Sequence, residues 1–145
     1  MSKRDAEFYF VDIFIAIYKI ELYTSKFTNG KELLDSMLEW DATMRELEII
    51  GEATNSLIKL EVLENNKYRK IVDLRNLIIH GYFGIDEDEV WSVVTDKLTP
   101  FCEELKSIIN EKNIFIKEAI NYAKEENIRN IKIIKYLDKL ITDLE

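Results

Sequence analysis

The chain has 145 residues, of which 47% are hydrophobic and 33% are charged, and its formal net charge is −8. This length and balance are typical of one folded domain and exclude a disordered chain, while the acidic total excludes a protein that binds nucleic acid over its whole surface. The chain has one cysteine and one histidine, which exclude an internal disulfide and a Cys/His zinc cluster. We therefore predict no bound metal and no cofactor.

Helix breakers are sparse, with one proline and four glycines, and this predicts an all-α fold of long helices. The first helix is predicted from about Lys3 to Phe27. Its apolar stripe consists of Phe8, Val11, Ile15, Tyr18 and Leu22, widened by Phe10, Phe14 and Ile17. Charged residues interrupt this segment and no small-residue cleavage site follows it, which predicts an amphipathic helix rather than a signal peptide or a membrane span. We expect a cytoplasmic protein that does not contact membranes.

A loop around TNGKE, residues 28–32, is predicted before a second helix from about Ser36 to Leu60. The side of this helix predicted to be buried carries Leu38, Ala42, Ile49, Ala53, Leu57 and Leu60. Gly51 lies in the helix interior, where glycine costs about 1 kcal/mol, so we expect it to permit the close approach of another helix. The next residue, Glu52, is a candidate partner of Arg75 or Arg45, either in a buried ion pair that holds the bundle or in an active site.

A third helix is predicted from about Lys67 to His80, with Gly81 as its left-handed cap. The carboxylates of Asp86 to Glu89 favour the start of a fourth helix, which we expect to continue through Leu105 with a bend near Pro100. Beyond residue 112, two more segments have helical spacing. We predict a bundle of antiparallel helices over residues 1–111 and a helical C-terminal extension, residues 112–145, packed on the same domain.

The stretch RNLIIHGY, residues 75–82, contains the single histidine, His80. On a helix Asn76 and His80 share one face, whereas Arg75 lies about 140° away from His80, so a second subunit would bring the two together most easily. An imidazole passes protons near neutral pH and a guanidinium stabilises a phosphate, which suits metal-free RNA cleavage, with Asn76 orienting His80 or the phosphate. The plainer alternative is that His80 only ends a helix, Arg75 is solvated and Tyr82 is core.

One short stretch runs against the acidic balance of the chain. Between positions 67 and 82 only Asp73 opposes four cations, which are Lys67, Arg69, Lys70 and Arg75. We predict that a phosphate is favoured there and almost nowhere else on the chain. The last 34 residues are also less acidic than the rest, with 7 basic and 6 acidic side chains.

The stretch RNLIIHGY fits the R-x4-H-x-Y motif of the HEPN superfamily, and residues 1 to about 111 resemble its HepT-like toxins. Two blocks carry this resemblance, DATMRELEIIGEA in the second helix and VDLRNLIIHGYFGIDEDEVW across the third and fourth. The resemblance implies a HEPN-type helical bundle that forms a homodimer, with Arg75 and His80 of each subunit in a cleft at the interface. Asn76 is then the polar residue after the motif arginine, and the implied activity is that of a metal-independent endoribonuclease acting on RNA.

The same resemblance implies a partner, an MntA-like nucleotidyltransferase antitoxin that transfers AMP from ATP to Tyr82, as in type VII-like toxin–antitoxin pairs. Two other functions stay open: a non-catalytic HEPN module that binds a nucleotide or a partner enzyme, and a plain structural helical dimer. The intact set of Arg75, His80 and Tyr82 favours the toxin, because an interaction protein does not need that combination.

Overall fold

The computed structural model describes residues 6–81 and 84–145, which form helices joined by short turns and contain no strand. In chain order the helices are α1 (Ala6–Thr24), α2 (Gly30–Asp35), α3 (Met37–Lys59), α4 (Asn65–Ile79), α5 (Glu87–Ser92), α6 (Leu98–Glu111), α7 (Lys117–Glu126) and α8 (Ile131–Leu144). A π-helical turn, Val93–Lys97, joins α5 to α6. The predicted all-α class is confirmed. None of the described helices is long and apolar enough to cross a membrane.

The long helices α1 and α3 form the central pair of the bundle. They run antiparallel: Lys26, just after the end of α1, pairs with Glu39 at the start of α3 at 3.5 Å. α1 also contacts α6 and α7, so it is covered on more than one side. α4 packs along α3, and its first turn reaches α6, where the Tyr68 hydroxyl donates a hydrogen bond to Glu104 at 3.0 Å.

The buried faces of α1 and α3 agree only in part with the predicted ones: Val11 of α1 and Leu57 of α3 are buried as predicted, but other members of the predicted stripes are not. In α1, Phe8 and Leu22 are exposed, whereas Phe10 and Phe14 are fully buried. Apolar residues surround most of α1, so their spacing does not single out one face. In α3, Leu38 is 78% exposed. The buried face of α3 includes four small or polar residues, Thr43, Gly51, Ala53 and Thr54. Their small side chains allow the neighbouring helices to approach closely.

The chain between α1 and α3 contains a short helix where a loop was predicted. α1 ends at Thr24, whose hydroxyl donates to the Ile20 carbonyl at 2.8 Å. α2 begins after Asn29, whose side-chain oxygen accepts the Glu32 N–H at 2.9 Å. The Glu32 carboxylate in turn accepts the Thr28 N–H at 2.7 Å. These reciprocal caps are a helix-start signal present in the sequence, and they explain why the loop prediction was wrong here.

The predicted fourth helix is divided into α5, the π-helical turn and α6. The side chain of Asp86 caps α5 by accepting the Asp88 N–H at 2.9 Å, which agrees with the predicted start. In the π-helical turn the Leu98 N–H bonds to the Val93 carbonyl, five residues earlier. Pro100 has no N–H, and its ring clashes with the carbonyl four residues before it in a regular helix, so the wider turn just before it relieves that clash.

The two C-terminal helices pack on the rest of the bundle. α7 contacts α1 and α8, and the buried Ile120 and Leu137 belong to the same apolar cluster as Phe10 and Phe14. The rings of Tyr18 and Tyr136 stack with centroids 4.5 Å apart. The division of the chain into domains at residue 111 stays a prediction.

Candidate active site

The residues predicted to form the site lie on α4 and in the turn that follows it. His80 caps the C-terminus of α4, and its backbone N–H donates to the Asn76 carbonyl at 3.1 Å. The His80 residue is exposed and Asn76 is half-buried. Gly81 has a φ of +61°, so the predicted left-handed cap is confirmed. Tyr82 lies outside the described residues, and its role stays a prediction.

Arg75 is held by a carboxylate of the neighbouring helix. Its Nη1 donates to Glu52 Oε1 of α3 at 2.7 Å. The Arg75 side chain is 15% exposed and that of Glu52 is 53% exposed, so the pair lies at the edge of the helix interface. Arg45, the other candidate partner of Glu52, pairs with Glu48 at 3.6 Å. The alternative in which Arg75 is simply solvated is therefore wrong.

Gly51 explains how Arg75 fits between α3 and α4. A Cβ atom at Gly51 would overlap the Cβ of Arg75 and lie 2.7 Å from its Cγ. The predicted close approach of a neighbouring helix at this glycine is confirmed. The absence of a side chain at Gly51 lets the stem of Arg75 cross α3, where its guanidinium meets the carboxylate of the next residue, Glu52.

The Arg75 guanidinium has donors beyond the one that Glu52 uses. Its Nε is buried and has no acceptor among the described residues. A guanidinium offers five N–H donors, so Arg75 can hold Glu52 and present other donors to an anion. His80 lies five residues later, about 7.5 Å further along the helix axis and on a different face. The chain thus presents an anchored cation and an exposed imidazole on one helix.

The predicted basic stretch is largely neutralised by nearby carboxylates. Lys67 pairs with Glu104 at 3.5 Å, and Arg69 pairs with Asp73 at 3.3 Å. With Arg75 bound to Glu52, three of its four cations are in ion pairs. The attraction of this stretch for a phosphate is correspondingly weaker than the sequence predicts, because each carboxylate offsets the field of its cation.

A groove of about 490 Å³ lies beside α4, between α3 and the π-helical turn. Leu77 of α4, Leu47 of α3 and Val93 form part of its apolar wall, and Lys70 and Lys97 add charge. The sequence does not predict this groove, because its walls come from three separate segments and the π-helical turn has no clear sequence signal. Within the described ranges, no group of three or more His, Cys, Asp or Glu side chains is placed to hold a metal ion.

Comparison with known proteins identifies the family. The model of the family described as "Ribonuclease HepT-like" matches residues 13–110. "Putative RNase MJ1380" of Methanocaldococcus jannaschii is 31% identical over 110 residues, which cover 74% of this chain and 100% of that protein. "Probable ribonuclease HepT" of Thermococcus cleftensis is 32% identical over 98 residues, 66% of this chain and 88% of that protein. No solved structure matches. The resemblance drawn from the two sequence blocks is thus confirmed, and the chain belongs to the HepT-like ribonuclease family.

Proposed function

We propose that this protein is a metal-independent endoribonuclease that acts as the toxin of a toxin–antitoxin pair. One observation carries the proposal: α4 holds Arg75 against Glu52 and ends with an exposed His80, in a chain of the HepT-like ribonuclease family. An accessible imidazole can transfer the protons, and a fixed guanidinium can stabilise the charge, that phosphodiester cleavage without a metal involves.

In the proposed reaction the 2′-hydroxyl of RNA attacks the adjacent phosphorus. The new bond joins the 2′ oxygen to phosphorus, and the bond from phosphorus to the 5′ oxygen of the next nucleotide breaks. His80 exchanges the protons, since one leaves the 2′-hydroxyl and one is delivered to the departing 5′ oxygen. Arg75 stabilises the negative charge that builds on the phosphate oxygens, and Asn76 orients His80 or the phosphate.

The proposed active unit is a homodimer with α4 near the two-fold axis. Two apolar side chains near the end of α4, Leu77 and Ile79, are exposed and available to a partner. In a two-fold dimer each subunit contributes the same surface, so two copies of Arg75 and His80 enter one cleft. One imidazole then serves as the base while the other serves as the acid, which explains how a single histidine per chain suffices.

The proposed antitoxin is an MntA-like nucleotidyltransferase that transfers AMP from ATP to Tyr82. A bond forms between the phenol oxygen and the α-phosphorus of ATP, the bond from that phosphorus to the β-phosphate breaks, and pyrophosphate leaves. The modification adds a phosphodiester and a bulky base two residues beyond His80. The added phosphate competes with RNA for Arg75, and the nucleoside blocks the cleft by its volume. The ribonuclease is silenced in this way without being unfolded.

The test is expression of the chain alone in a bacterial host, followed by cleavage assays on the purified protein with a metal chelator present. Arg75→Ala and His80→Ala should each relieve growth arrest and lower the cleavage rate by about 10²–10⁴-fold, while circular dichroism stays that of the parent. Lys31→Ala, an exposed change on α2, is the control. Cleavage by His80→Ala at the parent rate would contradict the proposed mechanism and favour the non-catalytic binding module.

A further inference from the structure

The first turn of α8 and the turn before it carry an unusual concentration of positive charge. Residues 127–137 contain three cations and no acidic residue, in a chain whose net charge is −8. A fourth cation follows one turn later. We call this group the basic ridge; it consists of Arg129, Lys132, Lys135 and Lys139, and all four residues are exposed. The ridge lies beyond residue 110, where the match to the family model ends.

The three lysines of the ridge lie on one face of α8. At about 100° per residue, Lys132, Lys135 and Lys139 fall within about 60° of one another, and the first and last are about 10 Å apart along the axis. The three side chains therefore project from the same side of α8, and their positive potentials add along that side of the helix.

The acidic side chains of α8 are occupied by cations from other helices. Asp138 pairs with Lys124 of α7 at 2.6 Å, and Asp143 pairs with Lys106 of α6 at 3.7 Å. No described carboxylate forms an ion pair with any residue of the basic ridge. Glu21 and Glu103 line a groove beside Lys135 and Lys139 without pairing with them. The ridge thus differs from the basic stretch on α4, where carboxylates hold three of the four cations.

Two large apolar side chains accompany the charges. Ile128 and Ile131 are 71% and 67% exposed, and both lie at the turn where the basic ridge begins. A linear array of unpaired cations is complementary to a polyanion, and exposed apolar side chains beside it offer contact to unstacked bases.

We propose that the basic ridge binds the sugar-phosphate backbone of single-stranded RNA, outside the cleft that contains Arg75 and His80. This inference rests on the proposed ribonuclease function, because RNA is the polyanion that such an enzyme meets. The ridge supplies the attraction that the neutralised stretch on α4 lacks, and it does so without reading the base sequence.

The experiment measures binding rather than cleavage. A labelled single-stranded RNA of mixed sequence is titrated with the full chain carrying His80→Ala, at several salt concentrations, and anisotropy reports the complex. The test variant adds Lys132→Ala, Lys135→Ala and Lys139→Ala. The control adds Lys31→Ala, Lys59→Ala and Lys112→Ala, which remove the same charge from exposed positions elsewhere.

We expect the test variant to bind more weakly and to lower the slope of log affinity against log salt by about 2, since each phosphate contact on a single strand contributes about 0.7. The control should keep the parent slope, and replacing the three lysines by arginine should restore binding. Equal slopes for test and control would overturn the inference. A changed oligomeric state in light scattering with an unchanged slope would assign the ridge to a protein partner instead.

The cleavage assay separates this inference from the proposed function. If the parent chain cleaves RNA and the test variant binds RNA as well as the control does, only the inference about the basic ridge is wrong. If the parent chain cleaves nothing but binding still depends on the ridge, only the ribonuclease assignment is wrong. Absence of both cleavage and binding would contradict both.

Discussion

Arg75 and Glu52 act as one unit at the edge of the interface between α3 and α4. The carboxylate accepts from one donor of the guanidinium and fixes its direction, while the guanidinium keeps other donors that Glu52 does not use. The Glu52 side chain is 53% exposed, so solvent screens the ion pair and its contribution to folding stability is small. The main effect of the ion pair is to orient the Arg75 guanidinium.

We predict that Glu52→Ala lowers the RNA cleavage rate by about tenfold, because a lost hydrogen bond to a charged group leaves Arg75 less well oriented. The melting temperature should change little. Glu48→Ala, which breaks the surface pair with Arg45 on the same helix, is the control and should leave both quantities unchanged. A Glu52→Ala enzyme as active as the parent would remove Glu52 from the site.

Tyr82 can be tested as the modified residue by intact-protein mass spectrometry. We expect co-expression with the cognate nucleotidyltransferase to raise the mass of the parent chain by one or more AMP units and to stop cleavage, because AMP blocks the cleft. Tyr82→Phe should show no added mass and stay active. Tyr122→Phe, at an exposed tyrosine of α7, is the control and should still gain AMP. AMP found on another residue would contradict the proposal.

At the scale of helices, close packing decides where the side chains of the candidate site lie. Gly51 brings α3 so near to α4 that the stem of Arg75 occupies the space of a side chain. On the other side of the bundle, α7 lies against α1, and the carboxylates of Glu126 and Asp12 are close enough to repel each other.

We predict that Gly51→Ala destabilises the protein by about 1–3 kcal/mol, although alanine is the better helix former, because the new methyl group overlaps the side chain of Arg75. Chemical denaturation measures the loss. Lys59→Ala, an exposed change near the end of the same helix, should stay within about 0.5 kcal/mol of the parent. A more stable Gly51→Ala protein would show that α3 and α4 are further apart than described.

Asp12 predicts a pH dependence of stability. Partial burial, and then the nearby Glu126 carboxylate, raise the pKa of Asp12 from 3.8 to about 6. The folded state therefore holds this proton more tightly than the unfolded state, and the resulting stability, complete below pH 3.8, is lost as the pH rises through about 6.

We expect Asp12→Asn to raise the melting temperature at pH 7–8 and to have almost no effect near pH 4, where Asp12 is protonated. Glu126→Gln should give a smaller gain at pH 7–8, since repulsion is the lesser cause. A gain from Asp12→Asn that is equal at both pH values would contradict the assignment.

At the scale of the whole molecule, the proposed site requires a second copy of the chain. We predict a two-fold dimer in solution and expect Leu77→Glu to convert it to a monomer with strongly reduced cleavage, because the change puts a charge where α4 meets its partner. Leu38→Glu makes the same change at an exposed leucine of α3 and should leave the dimer intact. Light scattering measures both variants. A monomeric parent that cleaves RNA would contradict the dimer.

The sequence by itself determined the all-α class and the positions of the long helices, but neither α2 nor the division of the predicted fourth helix. α3, α4 and the start of α5 lie within two residues of the predicted positions, because helical periodicity and caps such as Asp86 and Gly81 act over only a few residues. The family was also evident from two local blocks. These features depend on hydrogen bonds and side-chain spacing within short segments, so they can be predicted without knowledge of the rest of the molecule.

Only the tertiary structure decided which faces meet and which charges remain unpaired. Leu38 and Phe8 fit the apolar spacing yet are exposed. Glu52 pairs with Arg75 rather than with Arg45, because Gly51 allows α4 to approach α3 closely. Two of the three carboxylates that neutralise the stretch on α4, Glu52 and Glu104, likewise come from other helices. Such outcomes depend on the packing of segments far apart in the chain, and the spacing within a single segment contains no information about them.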